Sequence, residues 1–222
     1  MEAPVVLFRV CAGVLAAASA GVVGLAAPAH AEELPLRAAL AELPVAAESR
    51  EGYVRTAFKH WIDADKDGCS TRAEVLLAEA VDAPAQGERC VLTGGRWYSY
   101  YDDVYVDGAS GLDADHVVPL AEAWDSGASA WTAQRRQDYA NDLTDPRVLV
   151  AVTAKANRSK VDRDPAEWLP PRIDVRCRYA SEWIAIKLRW GLSIDTTEQA
   201  ALTTLTDSCP NAPITVNQFT DL

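Results

Sequence analysis

The sequence predicts a mixed α+β domain, richer in helix than in strand, and three of its features carry that prediction. Apolar residues recur at helical spacing around residues 53–62, 71–81 and 179–190. Residues 90–112 instead interleave aromatics with Gly and Asp, the pattern of short strands and turns. The apolar run Leu149-Val150-Ala151-Val152 reads as one buried strand. With 222 residues, 49% hydrophobic and 24% charged, and no internal repeat, the composition is that of an ordinary globular protein. Collagen-like, low-complexity and disordered chains are excluded.

The N-terminus reads as separate from that domain. Arg9 and the amino group make a weakly positive start, residues 10–27 are apolar apart from Ser19, and Ala29-His30-Ala31 offers a small-x-small cleavage pattern. Residues 1–31 are therefore expected to be a secretory signal peptide, with a retained membrane anchor as the alternative. No other stretch approaches the roughly 18 apolar residues needed to span a bilayer. The remainder is expected to be secreted and free of the membrane. Residues 32–49, rich in Pro, Ala and Glu, read as a flexible segment or a short exposed helix, and residues 50–222 as a single domain.

Within that domain, Tyr53, Phe58, Trp61 and Ile62 fall on one side of a first predicted helix. An acidic loop follows, then a second helix over about residues 71–81 carrying Val75, Leu76 and Ala80. Trp97, Tyr98, Tyr100, Tyr101 and Tyr105 crowd the strand region. Such rings can stack nucleobases, but in a small domain they more often fill the core or cover strand edges. Tyr179, Trp183, Ile186 and Trp190 make a core stripe on a helix that Gly191 stops. Asp195-Thr196-Thr197-Glu198 is a capping box that opens a last helix through Leu202 and Leu205.

Beyond Cys11 in the signal segment the chain has Cys69, Cys90, Cys177 and Cys209. An even number in an oxidising compartment points to disulfides, and three pairings are open. Pairing neighbours, Cys69 with Cys90 and Cys177 with Cys209, closes two modest loops and is the expected arrangement. No CxxC or Cys/His spacing suits zinc. The net charge of −11 excludes a uniformly basic nucleic-acid binder, so a polyanion must be met by a local patch or a metal ion. Residues 155–189 hold nine basic side chains against five acidic ones and are the expected polyanion-facing stretch.

Two sites have the residue types for chemistry. In the first, Asp63, Asp65, Asp67, Gly68 and Glu74 match the D-x-D-x-D-G-x5-E calcium loop. Alternate carboxylates converge on one hard cation, Gly68 permits the sharp turn, and Glu74 adds a bidentate ligand from the next helix. Ser70 stands where an aliphatic is usual, and such loops normally come in pairs. An EF-hand-like loop at 63–74 binding structural Ca²⁺ is expected, with an acidic turn that holds no metal as the alternative.

The second site is Asp113-Ala114-Asp115-His116-Val117-Val118-Pro119-Leu120, followed by the 149–152 strand and Asn157-Arg158-Ser159-Lys160. His60 is the other histidine beyond the signal and reads as an ordinary helix or surface residue. An Asp-His pair alone is more often structural, but the downstream strand and N-R-S-K raise its specificity. Together these residues resemble the HNH (His-Me finger) nuclease motif, and most nearly the C-terminal nuclease domain of GmrSD-type restriction enzymes. Secreted actinobacterial HNH proteins share the extended pattern, here Ala123-Trp124, Ser126-Gly127-Ala128, Tyr139 to Asp142, and Asp164-Pro165 to Pro171. The resemblance covers about residues 50–205.

It implies a ββα-metal core: a strand pair carrying Asp115 and His116, then a helix starting near Asn157. It implies that His116 is the general base, that Asp115 and Asn157 hold a catalytic Mg²⁺ or Mn²⁺, and that Arg158 and Lys160 grip phosphates. The implied substrate is nucleic acid, DNA ahead of RNA, cut with little sequence specificity, because no base-reading element is visible. Family members commonly place an Asn before the aliphatic strand to orient the histidine loop. Val148 stands there, and Asn141 is the candidate substitute. A non-catalytic extracellular calcium-binding protein keeping the nuclease fold is the second reading, and a carboxylate-pair glycosidase a remote third. A monomer is the default for a disulfide-stapled exported domain.

Overall fold

The computed structural model describes residue 1 and residues 31–220, so the signal segment lies outside the described residues apart from its two ends. From residue 31 onward the first elements are strand β1 (Glu32–Pro35) and helix α1 (Leu36–Glu42). A single 3-10 turn at Arg55–Ala57 and the acidic loop lead to α2 (Thr71–Ala78). Five short strands follow: β2 (Ala80–Asp82), β3 (Ala85–Gln86), β4 (Leu92–Thr93), β5 (Arg96–Ser99) and β6 (Val104–Asp107). Then come β7 (Leu112–His116), α3 (Leu120–Asp125), α4 (Ala133–Ala140), β8 (Leu149–Thr153) and α5 (Ala154–Lys160). Helices α6 (Arg176–Trp190) and α7 (Thr196–Asp207) precede the last strand, β9 (Pro213–Val216).

No large sheet forms among the described residues. β1 pairs with β9, β2-β5-β6 make three strands, and β3–β4 and β7–β8 are two-stranded. The β7–β8 pair is antiparallel and sets His116 opposite Leu149 and Asp115 opposite Val150. Every residue of β8 is buried, which is why it reads as a continuous apolar run rather than an alternation. Thr153 caps α5 directly after the strand, its side chain accepting from the Ala156 amide.

The core gathers on α6, where Tyr179, Trp183, Ile184, Ile186 and Trp190 are fully buried, as the helical stripe predicted. Gly191 ends the helix in the left-handed region at φ 66°, and Asp195 caps α7 by accepting from the Thr197 and Glu198 amides. Of the strand-region aromatics, Trp97, Tyr100 and Tyr101 are core and Tyr105 is exposed, with Arg96 lying 4.5 Å over its ring. Gly95 is required beside them, because a Cβ there would stand 2.6 Å from the Trp97 ring. Both disulfides follow the neighbour pairing, Cys69–Cys90 and Cys177–Cys209.

Two expectations fail. The first predicted helix is absent: residues 53–62 make only the 3-10 turn, and Trp61 sits at φ 59°. Backbone groups there bond to Asn141 instead, whose amide donates to Lys59 O and accepts from Ile62 N. The apolar spacing instead reflects separate anchors. Phe58 is fully buried and packs edge-on against Trp124 and Tyr139, and Trp61 lies on His116. Residues 32–49 are likewise not loose. β1 is zipped to β9, and α1 buries Leu36, Ala39 and Leu40 against α6 and α7.

Burial also reshapes the titration of several carboxyls. Lys187 is fully buried between Glu122 and Glu198, at 2.6 and 2.7 Å. Glu48 and Glu198 are pushed up by burial and by their neighbouring carboxylates. Glu79, which accepts from the Ala151 amide at 2.7 Å, is pushed up to about 7 by burial. A raised carboxyl makes the folded state hold a proton that the unfolded chain releases near pH 4.5. Stability therefore falls as pH rises from about 4.5 to about 7, and the loss is complete above that window. The Glu79→Gln variant keeps the acceptor for Ala151 and removes the titration. In urea denaturation it should gain about 1–2 kcal/mol over the parent at pH 8 and nothing at pH 4.5.

Candidate active site

The β7–β8 pair, α5 and the Arg55–Ala57 turn close around a cleft of about 280 Å³, lined by Arg55, Asp115, His116, Asn157, Arg158 and Asp162 among others. The motif halves, forty residues apart in sequence, thus meet at one place. The reason is local: β8 pairs with β7 and turns straight into α5, so Asn157 returns over the strand that carries Asp115 and His116.

His116 is 5% exposed, and its Nε2 lies 3.0 Å from Ala140 O. A carbonyl only accepts, so Nε2 carries the hydrogen and Nδ1 is the free base of the neutral ring. Trp61 lies against one side with ring centres 5.3 Å apart, and Tyr139 stacks at 6.2 Å. Burial lowers the imidazole pKa to about 3, which keeps the ring neutral at physiological pH.

Asp115 Oδ2 accepts from Tyr101 OH and from Lys160 Nζ, both at 2.7 Å. Lys160 is fully buried and also donates to His116 O at 2.8 Å. It therefore does not reach out to a phosphate, contrary to its expected role, and instead holds the strand from below. Burial pushes the Asp115 carboxyl up and the Lys160 ammonium down, and their contact opposes both shifts. The second oxygen, Asp115 Oδ1, makes no hydrogen bond among the described residues, and Asp115 is one of the residues lining the cleft. Asn157 donates through Nδ2 to Asp113 Oδ2 at 3.1 Å, which leaves its Oδ1 as the free end. Two unspent hard oxygens in one cleft fit a divalent cation of the Mg²⁺ or Mn²⁺ type.

Arg158 faces solvent beside the cleft, 3.6 Å from Asp113. The rest of the basic stretch is mostly committed elsewhere. Lys187 and Arg189 are buried in ion pairs, Arg178 pairs with Glu182, and Arg172 with Asp103 and Asp174. The expected basic face over 155–189 thus shrinks to the exposed side of α5.

Asn141 does not touch His116. Its amide accepts from Ile62 N and Thr71 Oγ1 and donates to Lys59 O and Gln137 O, which pins the neck of the acidic loop. The histidine is oriented by the neighbouring Ala140 carbonyl instead. At Val148 the side chain is buried in the core and the carbonyl accepts from Val117 N at 3.1 Å. His60 bonds Phe58 O and packs edge-on against Trp61, an ordinary packing role.

In the acidic loop, carboxylate oxygens of Asp63, Asp65 and Asp67 lie within 4.8 Å of one another. Asp63 accepts from Gly68 N, Asp65 from Asp67 N, and Asp67 from Cys69 N. Gly68 takes φ 95°, the turn expected of it. Glu74 is outside that close group, yet the charges of Asp65, Asp67 and Asp63 help to push its carboxyl up. Since no helix precedes the loop, only its outgoing half is EF-hand-like.

Four contributors escaped the sequence reading: Asp113, Tyr101, Trp61 and Arg55. Asp113 alone had a usable signal, its two-residue spacing from Asp115 on one strand face. Removing the buried cation tests the scaffold. The Lys160→Ala variant leaves Asp115 buried and unpaired and should lose about 3–5 kcal/mol in urea denaturation. A phosphate-gripping surface lysine would cost almost nothing.

Residues 68–205 match the family described as GmrSD restriction endonucleases, C-terminal domain. An uncharacterized secreted protein of the fungus Arthroderma benhamiae is 41% identical over 160 residues, covering 72% of this chain and 77% of its own. That name accords with the export read from the N-terminus, and no helix among the described residues is long and apolar enough to cross a membrane. No solved structure matches the chain significantly. The chain belongs to the family of the C-terminal domain of GmrSD restriction endonucleases.

Proposed function

We propose that this chain is a secreted nuclease that hydrolyses phosphodiester bonds of nucleic acid, DNA ahead of RNA, with little sequence specificity. The observation that carries the reading is His116: its Nε2–H is spent on Ala140 O, and it lines one cleft with Asp115 and Asn157, each of which keeps a side-chain oxygen without a hydrogen bond among the described residues. Nδ1 takes the proton from the water that attacks phosphorus, and the neutral ring is ready to do so at physiological pH. Asp115 and Asn157 hold the divalent cation, which supplies charge stabilisation for the phosphoryl oxygens when bound. Tyr101 and Lys160 fix the Asp115 carboxylate, Asp113 turns the Asn157 amide, and Arg158 holds a phosphate of the substrate. Ala140 positions the histidine from the other side, and Asn141 pins the acidic loop beside it.

The loop at 63–74 is proposed to bind one Ca²⁺ through Asp63, Asp65, Asp67 and Glu74 with a structural role, closing a segment whose neck rests on Asn141. Calcium should raise the melting temperature of the parent by several degrees and leave an Asp65→Asn/Asp67→Asn variant unmoved. An equal rise in both would remove the site.

The direct test is plasmid cleavage by residues 32–222 with Mg²⁺ or Mn²⁺, with EDTA, and with His116→Ala. Cutting that needs metal and vanishes in the variant is expected. Cutting that survives the variant assigns the base elsewhere. No cutting of DNA or RNA by folded protein leaves a calcium-binding module on a nuclease fold.

A further inference from the structure

With Lys160 sealed beneath the strand, the cation complement of the cleft has to be counted again. Lys160 neutralises Asp115, and Asp162 on the cleft wall is answered from outside by Arg50 at 3.7 Å. Arg158 is outward but shares itself with Asp113. One guanidinium is left over. Arg55 lines the cleft, is exposed, and forms no salt bridge with a carboxylate among the described residues. In a chain of net charge −11 most other arginines that pair at all face an acid: Arg50, Arg96, Arg147, Arg172, Arg178 and Arg189 each do.

The backbone beneath Arg55 is held firmly. Ala57 N bonds Val54 O at 2.9 Å and Phe58 N bonds Arg55 O at 3.1 Å. Phe58 is fully buried against Trp124 and Tyr139, and three residues further Trp61 lies on the His116 ring. A fixed stem with an uncommitted cationic head at the mouth of an anion-processing cleft costs little ordering when a phosphate arrives. From this geometry we infer that Arg55 is a substrate-binding residue of the cleft, gripping a backbone phosphate from the 55–57 turn while Arg158 grips from α5. The inference rests on the nuclease reading and assigns to Arg55 the role that Lys160 cannot fill. It also makes the ligand a polymer backbone rather than a lone phosphate ester, because two guanidiniums on different elements serve more than the scissile group.

The experiment measures binding of a fluorescein-labelled 20-base-pair DNA duplex by fluorescence anisotropy, over a salt series, in a His116→Ala background that does not cut. Arg55→Ala is expected to weaken binding 3- to 10-fold and to lower the magnitude of the log Kd against log salt slope by about one. Arg55→Lys should restore the slope, which a purely structural role would not do. Arg89→Gln, at an exposed arginine that does not line the cleft, should change neither. In the cutting-competent chain Arg55→Ala should appear in KM rather than kcat. If Arg55→Ala matches Arg89→Gln in affinity and slope while the parent cuts DNA, the inference is overturned and the nuclease reading stands. If the parent neither binds nor cuts DNA or RNA, both fall together, and the parent alone reveals it.

Discussion

The buried contact between Lys160 and Asp115 is the constraint on which the site depends. The ammonium, 2.7 Å from the carboxylate and 2.8 Å from the His116 carbonyl, ties the end of α5 to the end of β7. One cation thereby sets the distance between the strand that carries the proposed base and the helix that carries Asn157, the proposed second metal ligand. It also decides which Asp115 oxygen is spent, leaving the other to the cleft. Burying such a pair has a large desolvation cost, and here it is offset by three hydrogen bonds, Tyr101 supplying the third. Apolar residues of similar volume would hold the elements together without orienting the carboxylate.

A second set of contacts works from the opposite side of His116. Ala140 O sets the tautomer, and Asn141, one residue on, clamps Lys59, Ile62 and Thr71. The acidic loop, the Trp61 ring and the histidine are therefore joined through two adjacent residues at the end of α4. An ordered loop and an oriented imidazole are two consequences of one helix terminus. The main-chain bond from Val117 N to Val148 O continues the β7–β8 pairing one step past His116 and Leu149.

Local patterns were legible where the physics is local. The stops and caps at Gly191 and Asp195, the apolar β8 run, the Trp183/Trp190 stripe, the neighbour disulfides and the turn at Gly68 all appear as read. The reading of residues 53–62 went wrong because apolar spacing reports which side chains are buried and not how the backbone bonds. There, Asn141, far along the chain, took the hydrogen bonds a helix would have made. For residues 32–49 the short-helix reading holds in α1, but its exposure does not, for a similar reason. Their composition looks solvated, but β9 supplies a strand partner from the other end of the chain.

The site divides along the same line. By itself the sequence determined which residues to propose, because Asp115, His116, Asn157 and Arg158 are recognisable by type and spacing, and the structure gathers them in one cleft. Only the tertiary structure decided which charges face the solvent. Lys160 and Arg158 are two residues apart on one short helix, yet one is sealed against Asp115 and the other is outward. Arg55, with no motif around it, stands at the cleft. Charge is a property of the residue, but availability depends on burial and on partners brought from distant segments, which no local pattern encodes.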